Sequence, residues 1–144
     1  MKGAYREFQE LVPEEGWERW MASITRAIHS GEGIILVAEA GGIIQGAVQF
    51  FPDASRASQG HWPAAAATIR LLAVRPEARG LGLGTKLTQE CLRRARTLKI
   101  STIYLYTGRF MLAAQHIYEK LGFKRAPEFD PPMTPGPIAY RLDL

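Results

Sequence analysis

Cys91 is the only cysteine in 144 residues, which excludes an internal disulfide. Its place in "LTQECLRRA", four residues after Leu87 on an apolar helical face, reads as a buried thiol and not a nucleophile. Histidine is almost as scarce. His29 and His116 fall on surface helices with no ligand partner at metal spacing, so both read as structural and no metal is expected. No apolar run reaches the length of a membrane span, so no membrane partner is expected. The stretch "MKGAYREFQELVPEEGW" lacks the apolar core and small-residue cleavage site of a secretory signal, which makes the cytoplasm the expected location. Repeats are absent and "PAAAAT" is the one low-complexity tract, so a single domain over 1–144 is expected. Neither charge sign dominates. The net charge is +4, with arginines 70, 75, 79, 93, 94, 96 and 109 gathered in the middle of the chain. That suits an anionic ligand and is too scattered to argue nucleic-acid binding.

What is present is an ordinary globular composition, 47% hydrophobic and 22% charged. Trp17, Trp20, Met21, Ile24 and Ile28 follow helical spacing, preceded by a short helical segment, "YREFQEL", that ends before Pro13. "GIILVAEA", a Gly-Gly turn and "IIQGAVQFF" predict a strand hairpin. A long loop over 52–65 leads to the strand "ATIRLLAV", a glycine-rich loop and a helix to about Leu98. "STIYLYT" predicts a strand, "FMLAAQHIYEKL" a helix stopped by Gly122, "PEFDPPMTPGP" a loop and "IAYRLDL" a final strand. The resulting class is α/β. Strands 66–74 and 101–106, joined through a helix, should be parallel with a right-handed crossover.

The loop "RPEARGLGLGTKL" places glycines at 80, 82 and 84 at the start of a helix, where glycine is poor helix material. Two readings stand: a cradle that brings backbone N–H groups up to a bulky anion, or a plain turn entering a helix. The letters exclude a nucleotide-triphosphate loop, because Lys86 follows Thr85 at the wrong offset. They also exclude a dinucleotide fingerprint: the third glycine comes one position early, and the next strand ends Tyr106-Thr107-Gly108 without an acid.

Arg79-x-x-Gly82-x-Gly84 after "IRLLAV", followed downstream by "AAQHIYEKLGF", resembles the acyl-CoA region of the GNAT superfamily of N-acetyltransferases from about Thr68 to Arg125. The resemblance implies a mixed, mostly antiparallel sheet with a parallel core of two splayed strands, helices on both faces, and acetyl-CoA as acyl donor. It implies that N–H groups of Gly80, Leu81, Gly82, Leu83, Gly84 and Thr85 cradle the pyrophosphate. The pantetheine arm would run along Leu72, Ala73 and Val74, near Met111 and Ala114, with the Val74 N–H facing the thioester oxygen. Arg79 has two readings, a phosphate contact or an ordering of the loop. Tyr118 would protonate the leaving thiolate. Without the motif, the bland reading is a core aromatic flanked by Ala114 and Leu121.

Three departures matter. Many members have an asparagine where this chain has Met111. Some carry a glutamate as general base where this chain has Thr68, leaving His61 or ordered water for the proton. The family opens with a strand, whereas Tyr5 to Leu11 reads as helical. The missing strand would expose a sheet edge for which a partner subunit, in a homodimer, is one remedy. The expected activity is direct acetyl transfer to a primary amine of a small molecule or chain terminus. A non-catalytic acyl-CoA-binding module and a peptide-binding domain are the alternatives. Acceptor choice is expected to lie in the 1–30, 52–65 and 127–137 segments, with Glu128 and Asp130 near the mouth either a lure for a cationic amine or a solvated acidic pair.

Overall fold

The computed structural model describes residues 2–133 and 136–144, so Met1, Thr134 and Pro135 lie outside it. Alternating apolar residues around Gly41 and Gly42, whose φ angles are +59° and +79°, form the hairpin of β1 (Ile34–Ala40) and β2 (Ile43–Phe51). β3 (Ala67–Val74) pairs antiparallel with β2 and parallel with β4 (Thr102–Thr107). The connection between these two is α3 (Leu83–Thr97). β6 (Ile138–Asp143) pairs antiparallel with β4, and a two-residue β5 (Lys124–Arg125), not foreseen from the sequence, closes the far edge. The strand order is β1-β2-β3-β4-β6-β5.

Helices cover both faces. On one, Leu87, Cys91, Leu92 and Ala95 of α3, with Tyr118 of α4 (Leu112–Lys120), pack on Val48, Phe50, Ala67, Ile69, Ile103 and Leu105. On the other, Ile24 of α2 (Glu14–His29) packs with Tyr5 and Ala73, while Trp62 and Phe129 cover Tyr104. The expected α/β class with a parallel core is what the chain adopts. No strand precedes α2 among the described residues: Lys2–Tyr5 is α1, and Arg6–Leu11 a 3₁₀ helix. The outer edge of β1 is therefore unpaired there, and Ile35 and Val37 stand 46% and 49% exposed on it.

Two irregularities of β3 shape the site. β3 and β4 pair only at Ala67↔Ile103, Thr68↔Tyr104 and Ile69↔Leu105, and beyond these the two strands part. At the same point β3 bulges: Gln49 opposes Arg70 and Ala47 opposes Ala73, so Leu71 and Leu72 together face the one residue Val48. Leu71 takes φ +55° to do so. The alternation of the strand is thereby reset, with Leu71 and Ala73 on the α2 face and Leu72 packed on the α3 face.

Candidate active site

An antiparallel strand points alternate backbone groups at each neighbour. The Arg75 N–H donates to the Gln45 carbonyl of β2 at 2.8 Å, so the backbone groups of Val74 and Leu72 point the other way, into the gap left by β4. Two side chains reach those groups. The Tyr5 hydroxyl donates to the Leu72 carbonyl at 2.8 Å, and Arg79 Nε donates to the Val74 carbonyl at 3.4 Å. The Val74 N–H lies on the same open edge.

Beyond Val74 the chain enters α3 through Gly80 and Gly82, with φ +79° and +76°. A Cβ added at either would meet no atom within 4 Å, so this is open space beside backbone. Gly82 is the N-cap and no side chain caps it, which leaves the first N–H groups of the helix, at Leu83, Gly84 and Thr85, without intrahelical partners. Uncapped N–H groups, the helix dipole and room for a polyanion make an anion cradle. Gly84 differs from its neighbours. Its Cβ would lie 2.9 Å from Ile117 Cδ1, near Val74 and Leu72, so this glycine permits α3 to pack on α4. A Cβ at 84 thus meets Ile117 first, whereas at 80 and 82 it enters open space.

Tyr118 is the one buried residue of α4, with its ring 5.6 Å from Phe123 and 6.3 Å from Tyr140. Burial raises its pKa above the ordinary phenol value, with nearby Cys91 adding to the rise. Tyr5 is raised by burial and then by Tyr118. These phenols belong to opposite faces of the sheet. Both keep their protons at any physiological pH. Cys91 is fully buried, its pKa pushed up to about 12 by desolvation, as expected of an inert thiol.

The remaining candidates scatter. Arg79 turns from the glycine loop to the N-terminal segment, with Nη1 2.6 Å from Glu7 and Nη2 donating to the Ala4 carbonyl at 2.9 Å. That geometry supports loop ordering over a phosphate contact. Met111, at the N-cap of α4, packs against the cluster of Tyr5, Ile24 and Ala73, and Ala114 packs on the core. His61 is exposed, and Thr68 is fully buried with its hydroxyl unpartnered among the described residues. Asp130 is no lure for cations: it is 2.7 Å from Arg125 and accepts from the Ala139 N–H.

The site meets the demands of coenzyme A on the chain's own terms. It offers an uncapped cradle beside open space and a strand edge without a strand partner; in the divergent part of β4, the buried Thr107 hydroxyl has no hydrogen-bond partner among the described residues. Sequence reasoning missed Thr107, Ile117 and Tyr5. Only Ile117 left a signal, one residue before Tyr118 in the quoted motif.

The model of the acetyltransferase (GNAT) family matches residues 2–123. The chain belongs to the GNAT family. It is 38% identical over 72 residues to mycothiol acetyltransferase of Acidothermus cellulolyticus, half of this chain and 22% of that protein. It is 33% identical over 76 residues to an uncharacterized N-acetyltransferase of Schizosaccharomyces pombe, 53% of this chain and 47% of that protein. It thus spans less than half the length of these curated relatives. The GNAT fold is also that of the PaiA N-acetyltransferase from Thermoplasma acidophilum, solved in complex with coenzyme A. Its TM-score is 0.67 at 18% identity, covering 95% of this chain and 83% of that one. The ribosomal-protein-S18-alanine N-acetyltransferase from Escherichia coli gives 0.59 at 19% identity, covering 88% and 75%.

Proposed function

We propose that this GNAT chain transfers an acetyl group from acetyl-CoA to the primary amine of a small molecule or chain terminus, directly and without a covalent enzyme intermediate. The observation that carries this reading is the open edge of β3, which runs into the uncapped N-terminus of α3. The N–H groups of Leu83, Gly84 and Thr85 hold the pyrophosphate, and Gly80 and Gly82 let it approach the backbone. The thioester of acetyl-CoA supplies an acyl group that is already activated. The Val74 N–H donates to the carbonyl oxygen as charge gathers there. As the amine nitrogen forms its bond to the acyl carbon, the carbon–sulfur bond breaks with its electron pair on sulfur. Tyr118 gives that sulfur a proton, while the proton lost by the amine leaves to water. Thr68 cannot take it, since a neutral buried hydroxyl is no base at this pH.

A thiol-release assay over amino acids, aliphatic amines, polyamines, aminoglycosides and short peptides tests the proposal. Release that requires one of these classes is expected. Release that is the same with and without amine would return the chain to a module that only binds acyl-CoA.

The unpaired β1 edge supports a homodimer as the working assembly. Neither lysine nor proline guards this edge, and Ile34, Ile35 and Val37 are exposed on it. Antiparallel pairing of β1 with its copy would set Ile35 opposite Val37. Val37→Lys should then convert a dimer to a monomer in analytical ultracentrifugation. A monomeric parent protein would contradict this.

A further inference from the structure

Arg70 stands one residue before the bulge, on β3, two residues from the carbonyl that Tyr5 holds. Its side chain turns to the α2 face, where Nη1 donates to the Ala57 carbonyl at 2.9 Å and Nη2 reaches Ser23 Oγ at 3.4 Å. Both acceptors are neutral, and a guanidinium has more N–H donors than these two use. No carboxylate lies within 4.0 Å of Arg70 among the described residues. Arginine keeps its charge even when withdrawn from water, so a half-buried cation without a counter-charge is a costly arrangement to keep. Burial lowers the pKa of Arg70, and the titratable group that senses it is Tyr5, itself neutral.

Three acids are held by other arginines. Glu7 is held by Arg79, Asp130 by Arg125 and at 3.8 Å by Arg109, and Glu32 by Arg56. Among the described residues Arg70 is thus a positive charge on the α2 face with no carboxylate in contact. The same face of β3 carries an aromatic cluster with Leu71 and Ala73: Trp20 packs on Tyr5 at 5.4 Å and on Phe110 at 5.9 Å, and Phe8 packs on Phe110 at 5.2 Å.

We infer that the acceptor is an amine bearing a carboxylate and an apolar side chain, an apolar amino acid, and that Arg70 binds its carboxylate. This deepens the acetyl-transfer reading and rests on it. The pairing also serves the chemistry. A carboxylate beside an amine holds the proton on that amine, and a guanidinium that takes up the carboxylate removes this hindrance where no general base is in place. Acceptors with several positive charges, such as polyamines, would meet the Arg70 cation where a carboxylate would suit them.

The test compares phenylalanine and leucine, each with its amide and its decarboxylated amine, in the thiol-release assay, after a titration with coenzyme A. The free acids should exceed both analogues by about ten- to a hundredfold in kcat/KM, the usual worth of a hydrogen bond to a charged group. The amide has the less basic amine and thus more neutral nucleophile, so a preference for the acid cannot come from basicity. Arg70→Gln should erase the preference by raising KM for the acid, with coenzyme A affinity unchanged, and Arg70→Lys should restore part of it. Circular dichroism checks that both variants fold, and the parent's own discrimination does not depend on them. Turnover that ignores the carboxylate, or discrimination that survives Arg70→Gln, overturns this inference alone. Failure to bind coenzyme A overturns the acetyl-transfer reading, and this one with it.

Discussion

Tyr118→Phe should lower kcat by about a hundredfold or more, the usual contribution of a positioned general acid, while coenzyme A affinity stays near that of the parent. The ring is the buried face of α4 on Phe123 and Tyr140, and phenylalanine keeps that packing. What is lost is the hydroxyl that the proposed mechanism uses as proton donor. Because burial raises the pKa of Tyr118, the hydroxyl stays protonated through the alkaline range, and deprotonating it is not what limits the reaction. Proton removal from the amine is. An alkylammonium near pKa ~10 is almost wholly protonated at neutrality, and Thr68 stands where a carboxylate would help, so kcat/KM should climb from about pH 6.5 to about pH 9. It should not turn down below the ordinary phenol pKa of about 10, since the folded value lies above that. A flat profile over that span, or full kcat in Tyr118→Phe, would mean the proton chemistry belongs to other groups.

The second large effect concerns the loop. Gly80→Ala and Gly82→Ala should each weaken coenzyme A binding by about tenfold or more, and Gly42→Ala should leave it unchanged. The comparison is matched in strain. Gly80 and Gly42 both have φ +79°, and a Cβ at either meets nothing within 4 Å, so the backbone cost of alanine is the same, about 1 kcal/mol. Only the ligand distinguishes them. Gly42 sits in the β1–β2 turn, whereas at 80 and 82 the added methyl occupies the space through which a pyrophosphate must reach the N–H groups of α3. Gly84→Val belongs in a different category, because its side chain would crowd the Ile117 Cδ1 methyl, which would have to turn aside, before it met a phosphate. Isothermal titration of each variant, with melting temperatures alongside, checks the series. Equal losses at 42 and 80 would mean that strain, and not the ligand, is being measured.

Periodicity carried the fold. The apolar spacing of α2, the hairpin around Gly41-Gly42 and the strand–loop–helix–strand unit of β3, α3 and β4 are all legible in the letters, because each depends on local pattern and turn chemistry. Three features were not. The bulge at Leu71 places a leucine at positive φ, and nothing in "IRLLAV" announces it, since the parting of β3 from β4 and not local propensity holds it. Tyr5 reaches Leu72 across 67 positions of sequence, a contact that only the packing of α1 against β3 creates. Whether a charge is spare is likewise a property of the folded neighbours. Asp130 reads as free in "PEFDPP" and is in fact paired, whereas Arg70 reads as one arginine among many and is the half-buried one without a carboxylate. The glycine loop was legible as a loop, but the separate task of Gly84 required Ile117 to be seen beside it.

The most direct measurement is a quantitative mass-spectrometric account of one reaction mixture of protein, acetyl-CoA and acceptor amine, following free coenzyme A, N-acetylated amine and the mass of the intact protein together. Direct transfer predicts that coenzyme A and N-acetyl product appear in equal amounts, that both cease without the amine, and that the protein never gains an acetyl group. Coenzyme A released without matching N-acetyl product, or an acetylated protein that forms before the product does, would contradict it.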